Sequence, residues 1–187
     1  MTENELVSRL REGDELAFRE LVTGFQDRVF NTALGLIQNS SDAEDIAQEV
    51  FIQVYRSIHQ FKGDAQLGTW LYRIAVTKSL DFLRSKKRKK RFGFLRSLFG
   101  EDNSLLHDPG DFNHPGIIQE KKEDAAQLMR LVDGLPENQR TAFILNKIEE
   151  LSYREIAAVM EMTEGAVDSL LQRAKQNLRK KIAKLPP

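Results

Sequence analysis

The stretch from Leu151 to Lys181, LSYREIAAVMEMTEGAVDSLLQRAKQNLRKK, constrains this chain more than any other. Ser152 with Glu155 three residues on forms a capping box, and Ile156, Ala157, Val159 and Met160 give the helix it opens an apolar side. Glu161-Met162-Thr163 interrupts that helix. Thr163 can cap a second one, in which Val167, Leu171, Ala174 and Leu178 recur at the spacing of one buried helical stripe. A short helix, a tight turn and a longer basic helix predict a helix-turn-helix. The competing reading is a plain helical hairpin in a bundle. Gly165-Ala166 at the start of the second helix, with Arg173, Lys175, Arg179, Lys180 and Lys181 beyond, favours duplex DNA as the ligand.

Charge balance alone would argue against a nucleic-acid partner, because 28 Lys and Arg meet 28 Asp and Glu in 187 residues. The charge is not evenly spread. Basic residues crowd into 84–96 and 173–184, acidic ones into 42–49 and 101–124, and local patches decide phosphate binding. No cysteine is present, which excludes disulfides and thiolate metal sites and suits a reducing interior. With no signal peptide and no apolar run of membrane-spanning length, the expectation is a soluble, intracellular, mostly helical protein of one large or two small domains.

Helical signals recur along the chain. Thr2-Glu3-Asn4-Glu5 is a capping box for a short helix through Leu10, Gly13 ends it, and Asp14 can cap a second helix carrying Phe18, Leu21, Val22, Phe25, Val29 and Ala33 up to about Ile37. Asn39-Ser40-Ser41 breaks the pattern, and Ser41-Asp42-Ala43-Glu44 opens a third helix with Ala47, Val50, Phe51, Val54 and Ile58 inside. Asp42, Glu44, Asp45, Gln48, Glu49 and Gln53 lie on its other side. The helix dipole accounts for acids in the first turn but not for acidity continuing to Glu49, which favours a protein-docking face.

Phe61-Lys62-Gly63-Asp64-Ala65-Gln66-Leu67-Gly68 reads as a loop, followed by a fourth helix from Thr69 to about Lys86. Leu71, Ile74, Ala75 and Phe82, flanked by Val76, Leu80 and Leu83, supply core. Trp70, Arg73, Thr77, Asp81 and Arg84 share another face, a set suited to bases taken out of a duplex. Trp70 as a simple core residue is the even alternative. The run Arg84–Arg91 is either a solvated tail or a phosphate-binding extension of the fourth helix, and it resembles a nuclear-import signal. Phe92, Phe94, Leu95, Leu98 and Phe99, mixed with Arg91 and Arg96, read foremost as a loose flap, with a membrane surface or a channel-filling linker as functional alternatives.

An acidic, Gly- and Pro-containing linker spans 100–116, where His107 and His114 lack ligand-like spacing. The second unit starts near Ile117. Ala125, Leu128, Met129 and Val132 lie on a helix stopped by Gly134-Leu135; Pro136 can be the first residue of the next, with Ala142, Leu145 and Ile148 inward. A four-helix amino-terminal unit thus precedes a three- or four-helix carboxy-terminal one. No phosphate loop, nucleophile elbow or zinc-binding histidine pair occurs, so neither catalysis, a cofactor, a metal nor a small-molecule substrate is expected.

Three stretches together resemble the extracytoplasmic-function (ECF) sigma factors of bacterial RNA polymerase, in the sigma-70 family: DAEDIAQEVF at 42–51, TWLYRIA at 69–75, and the block from Leu135-Pro136 to Leu178. The resemblance implies an all-α fold of two small helical domains joined by a charged linker. These would be sigma region 2 over 1–90, a linker over 91–120, and sigma region 4 over 121–187 with a winged-helix-like helix-turn-helix. Its implied function is an alternative sigma factor that directs polymerase to specific promoters and assists their opening.

By that resemblance Asp42, Glu44, Asp45, Gln48, Glu49 and Gln53 would dock on the clamp helices of the polymerase's largest subunit. Phe61, Lys62, Gly63, Asp64, Ala65, Trp70, Arg73, Thr77 and Arg84 would bind the minus-ten element, the loop receiving a flipped base. Arg154, Thr163, Glu164, Gly165, Asp168, Ser169, Gln172, Arg173 and Lys175 would bind the minus-thirty-five duplex. The linker would thread towards the polymerase active centre, and an anti-sigma factor would cover the 42–53 and 173–180 surfaces, leaving the protein cytoplasmic or held at the inner membrane. Two positions depart from the family, Asp168 and Leu170 standing where basic residues are frequent. Asp168 can accept from a cytosine amino group. Leu170 either meets a thymine methyl or extends the core stripe. Two other functions compete: a repressor or activator with an amino-terminal protein-interaction domain, and a membrane-surface adaptor using 86–99.

Overall fold

Most helices begin where a side-chain oxygen is available for their first unpaired N–H groups. The computed structural model describes the backbone of residues 1–98 and 119–184 and the side chains of 1–91 and 126–184. Expectations for the linker stretch 100–116, for His107 and His114, and for the side chains of Phe92 to Phe99 concern residues outside that description. Thr2 and Glu5 form the expected capping box of α1 (Glu3–Arg11), and the Asp14 carboxylate accepts from the N–H groups of Leu16 and Ala17 at the start of α2 (Glu15–Ile37).

Helix α3 (Ser40–Ser57) starts earlier than the Ser41 box predicts. Its cap is Asn39, whose carboxamide oxygen accepts from Asp42 N at 2.8 Å, and this lets Ser40 and Ser41 join the first turn. A short 3-10 turn (Ile58–Gln60) and a loop lead into α4 (Leu67–Leu98), which begins before Thr69 and continues through the whole basic run.

The second half comprises α5 (Gln119–Asp133), α6 (Glu137–Lys147), α7 (Tyr153–Met160) and α8 (Glu164–Ile182). Pro136 is the residue before α6, not its first. Ile148 just past its end is turned out, 38% exposed, which corrects its expected inward placement. Ser152 and Glu155 make the predicted box, Thr163 caps α8 by accepting from Ala166 N, and Glu161 between them takes the left-handed conformation (φ 54°) that ends α7. No β-strand occurs among the described residues, and the helix-turn-helix there consists of α7 and α8 alone.

Two apolar cores result. The first packs Leu21, Val29, Val50, Val54, Leu67 and Leu71 among α1 to α4. The second packs Val132, Ile144, Leu145, Ile156, Val167 and Leu171, and it also takes in Leu36 from α2 with Tyr72 and Val76 from α4. Helix α4 is therefore apolar on two sides. Leu71 and Ala75 face the first core, while Tyr72, Val76 and Leu80, at i, i+4 and i+8, face the second. Burying Leu36 and Val76 is worth about 1.5–3 kcal/mol each at most, so the shared core holds the halves together rather than merely letting them touch. At Gly35 a Cβ would lie 2.8 Å from the Ile144 side chain; the absence of a side chain there is what lets α2 and α6 approach.

Candidate polymerase and nucleic-acid interface

Along α3 the residues Ala43, Ile46, Val50 and Val54 point into the first core. The opposite stripe is Asp45, Gln48, Ile52 and Tyr55, spaced by three or four residues and exposed throughout. Ile52 is 50% and Tyr55 57% exposed, large side chains mostly open to solvent on a helix whose other face is well packed, with the Tyr55 ring meeting Phe18 in a T-shaped contact at 5.3 Å. Glu44 and Gln53 are exposed beside them. Asp42 and Glu49 differ, because lysines of α4 reach across to them: Lys86 lies 3.0 Å from Asp42 and Lys78 3.2 Å from Glu49. The acidic surface is partly neutralised from within, and Ile52 and Tyr55 were missed as candidates. Their signal was present in the spacing, since neither fits the Val50, Val54, Ile58 stripe.

The loop before α4 is anchored at both ends. Phe61 is buried and packs on Trp70 with ring centroids 5.3 Å apart, while the Arg11 guanidinium donates to the Phe61 carbonyl. At the other end Leu67 N donates to a Glu3 carboxylate oxygen at 3.0 Å. Between these anchors Lys62, Gly63 and Asp64 are exposed and Ala65 half-buried, with Gly63 in the left-handed region (φ 79°) that allows the tip to turn. Trp70 is half-buried against the first core and Phe61, so packing accounts for part of its surface and leaves part exposed.

On the same face of α4 Thr77 is exposed, but the two arginines are engaged by the second half of the molecule. Arg73 donates through Nε and Nη2 to the Ala158 carbonyl at 2.8 and 2.6 Å and lies 3.4 Å from the Glu161 carboxylate. Arg84 pairs with Asp81 at 3.3 Å and with Glu137 at 2.7 Å. A cleft of about 670 Å³ is lined by Arg73 together with Ala157, Ala158, Glu161, Met162, Thr163 and Glu164. The minus-ten candidate Arg73 and the minus-thirty-five candidates Thr163 and Glu164 thus line one cleft.

Helix α8 buries Val167, Leu171, Ala174 and Leu178 and presents Gly165, Ser169, Gln172, Arg173 and Lys175 to solvent, with Arg154 exposed on α7. Gly165 has nothing within 4 Å of an added Cβ, so packing within the chain does not require it. Ser169 Oγ donates to the Gly165 carbonyl at 2.9 Å, and Gln172 Nε2 donates to the Asp168 carboxylate at 2.8 Å. That bond leaves the Gln172 oxygen and the Asp168 carboxylate as neighbouring acceptors. Leu170 packs against the second core, which favours the core reading over a thymine contact.

Among the described residues no group of three or more His, Asp or Glu could hold a metal ion, and no helix is long and apolar enough to cross a membrane. Two helical units, one ending in a helix-turn-helix and the other carrying an aromatic and arginine face beside an acidic helix, define a DNA-binding transcription factor.

Residues 21–89 match the family model for sigma-70 region 2, and residues 125–178 match that for sigma-70 region 4. The RNA polymerase sigma-H factor of Pseudomonas aeruginosa is 32% identical over 183 residues, covering 98% of this chain and 95% of the relative. The ECF RNA polymerase sigma-E factor of Escherichia coli K12 is 32% identical over 185 residues, with 99% and 96% covered. Among solved structures, CnrH in complex with the cytosolic domain of CnrY superposes with a TM-score of 0.71 at 20% identity, covering 97% of each chain. The sigma factor RpoE of Bartonella quintana, bound to the anti-sigma factor NepR, gives 0.61 at 20% identity over 90% of this chain and 98% of that one. The chain belongs to the sigma-70 family, among the ECF sigma factors of bacterial RNA polymerase. Such a protein is an alternative sigma factor for promoter-specific transcription initiation, a DNA-binding initiation factor rather than an enzyme.

Proposed function

We propose that the outward stripe of α3 is the surface this sigma factor uses to dock on the clamp helices of the polymerase's largest subunit. The observation that carries the reading is the exposed pair Ile52 and Tyr55 flanked by Glu44, Asp45, Gln48 and Gln53. An apolar centre with a charged rim is the anatomy of a protein interface, and buried aromatic or aliphatic anchors dominate its energy. Asp42 and Glu49, already paired with Lys86 and Lys78, belong to the rim.

The anchored loop with Lys62, Gly63, Asp64 and Ala65 at its tip, and the α4 face with Trp70, Arg73, Thr77 and Arg84, receive the non-template strand of the minus-ten element as it separates. Phe61 serves from beneath, holding Trp70 in place. Helix α8 reads the minus-thirty-five duplex through Gly165, Asp168, Ser169 and Gln172, while Arg154, Arg173 and Lys175, with the backbone N–H groups at the helix start from Thr163 and Glu164, position it on the phosphates. The unit boundaries at 90 and 120 follow this division, although the helix α4 itself runs on to Leu98.

CnrH is captured with the cytosolic domain of CnrY and the Bartonella RpoE with the anti-sigma factor NepR. An anti-sigma factor covering the 42–53 and 173–180 surfaces fits this chain in the same way and would set where in the cytoplasm it resides. A photo-crosslinking amino acid at Ile52 tests the docking face: crosslinks to the largest polymerase subunit support it, and crosslinks to other subunits alone overturn it.

A further inference from the structure

Gly165, Asp168, Ser169 and Gln172 share one face of α8 at i, i+3, i+4 and i+7, opposite the buried stripe of Val167, Leu171, Ala174 and Leu178. On that face the hydrogens are largely spent inside the helix. Ser169 Oγ donates its proton to the Gly165 carbonyl at 2.9 Å, and Gln172 Nε2 donates to the Asp168 carboxylate at 2.8 Å. A carboxylate only accepts, so the Gln172 amide turns its nitrogen towards Asp168 and its oxygen away. Apart from the second amide hydrogen of Gln172, the face offers a ligand three acceptors: the Asp168 carboxylate, the Ser169 hydroxyl oxygen and the Gln172 amide oxygen.

Acceptors discriminate between bases. In the major groove adenine and cytosine each present an amino group, whereas guanine presents N7 and O6 and thymine presents O4 and a methyl group, none of them a donor. A carboxylate taken out of water against such an edge loses its hydration and gains no hydrogen bond, which is the costly case. Leu170, packed against the second core, brings no donor to the face. Asp168 and Leu170 are also the two positions at which this chain lacks the basic residues frequent in its family, so the departure reverses the donor and acceptor character of the helix surface there.

We infer that this face of α8 is an acceptor surface that requires amino-bearing bases at neighbouring positions on one strand of the minus-thirty-five duplex and rejects guanine there. The inference rests on the proposed placement of α8 in that duplex. Asp168 is the specificity-determining residue. It accepts from a base itself, and it holds the Gln172 amide in the orientation that makes Gln172 an acceptor. In solution that bond is a modest contact between residues one turn apart; in the groove, where water no longer competes, it counts for more. Arg173 and Lys175, exposed further along the helix, offset the repulsion between Asp168 and the phosphates.

The test is selection by the holoenzyme, reconstituted on core polymerase, from a promoter library randomised over the minus-thirty-five region, with the bound fraction sequenced. The expected pool carries adenine or cytosine at neighbouring positions of one strand, with guanine there depleted about tenfold. Asp168→Arg should admit guanine at one of those positions. Asp168→Ala frees the Gln172 amide to pair with both N6 and N7 of adenine, so it should keep adenine and lose cytosine. A role for Asp168 in folding alone would weaken all sequences equally and leave the preference unmoved. A wild-type pool rich in guanine at the position that Asp168→Arg shifts overturns the inference, while the placement of α8 in the groove stands. An Asp168→Ala pool identical to the wild type overturns it as well. If neither Asp168→Arg nor Gln172→Ala moves any preference, α8 is not the reader and the inference falls with that placement.

Discussion

The Tyr72 hydroxyl donates to Glu149 at 2.8 Å across the boundary between the two helical units. Burial pushes the Glu149 carboxyl up to about 7, while the bond from Tyr72 on α4 and the positive charge of Arg28 on α2 pull it down. Burial also raises the Tyr72 hydroxyl, which stays protonated and able to donate. The second carboxylate oxygen, Glu149 Oε1, is buried with no hydrogen-bond partner among the described residues. The contact is therefore one that a proton strengthens.

Its pH dependence has a definite sign. In the unfolded chain Glu149 returns to the ordinary value of 4.5, so folding takes up a proton at this group between about pH 4.5 and 7. The stability this group contributes is smallest above pH 7, grows as pH falls through 7, and levels off below 4.5. Between pH 8 and pH 6 this group should raise the folded-to-unfolded ratio about tenfold. Urea unfolding at pH 6, 7 and 8 measures it. Glu149→Gln, which keeps an acceptor for Tyr72 without the charge, should flatten the profile; a wild-type profile already flat over that range contradicts the account.

Core docking should depend on the unpaired acid of the α3 stripe more than on the paired ones. Asp45→Arg is expected to weaken binding to core polymerase at least tenfold with the circular-dichroism spectrum and melting temperature kept. Asp42→Ala should matter less, since it breaks a surface ion pair to Lys86 worth about 0–1 kcal/mol. Anisotropy titration of labelled protein with core separates the two, and an unchanged affinity for Asp45→Arg would make the docking assignment wrong.

Arg73→Ala should impair promoter opening more than duplex binding. Permanganate reactivity of minus-ten thymines reports the melted strand, and mobility shift on a minus-thirty-five duplex reports the other step. Footprints indistinguishable from wild type would count against base capture by this face.

Stability of the helix-turn-helix should follow its buried stripe. Leu171 is 1% exposed, and Leu171→Ala should cost about 2–5 kcal/mol in urea unfolding, against about 0.5–2 kcal/mol for loss of the Thr163 cap in Thr163→Ala. Equal losses would mean that α8 is held by its cap and not by its packing.

Local signals in the sequence were clear wherever a few neighbouring residues decide the outcome. The boxes Thr2–Glu5 and Ser152–Glu155, the Thr163 cap and the α8 stripe are all read within a single turn or two. The α4 extension was harder. Like charges three or four residues apart cost a few tenths of a kcal/mol each, but Lys and Arg are good helix formers, and Lys86 finds both Asp42 and the Phe82 ring. Periodicity also showed that Val76 and Leu80 were apolar without showing what covered them. Nothing local to Gly35, Tyr72 or Glu149 reveals that α6 and α7 pack there, because that contact joins residues far apart in the chain. The same limit applies to Ile52 and Tyr55, whose exposure becomes informative only once the core beneath α3 is seen.

Run-off transcription tests the central claim most directly. Purified protein is added to core polymerase on fragmented genomic DNA, with co-elution of the two proteins followed in parallel. The account predicts a discrete set of promoter-specific transcripts absent from core alone, and a stable complex on the column. No promoter-specific transcript together with no co-elution would contradict it.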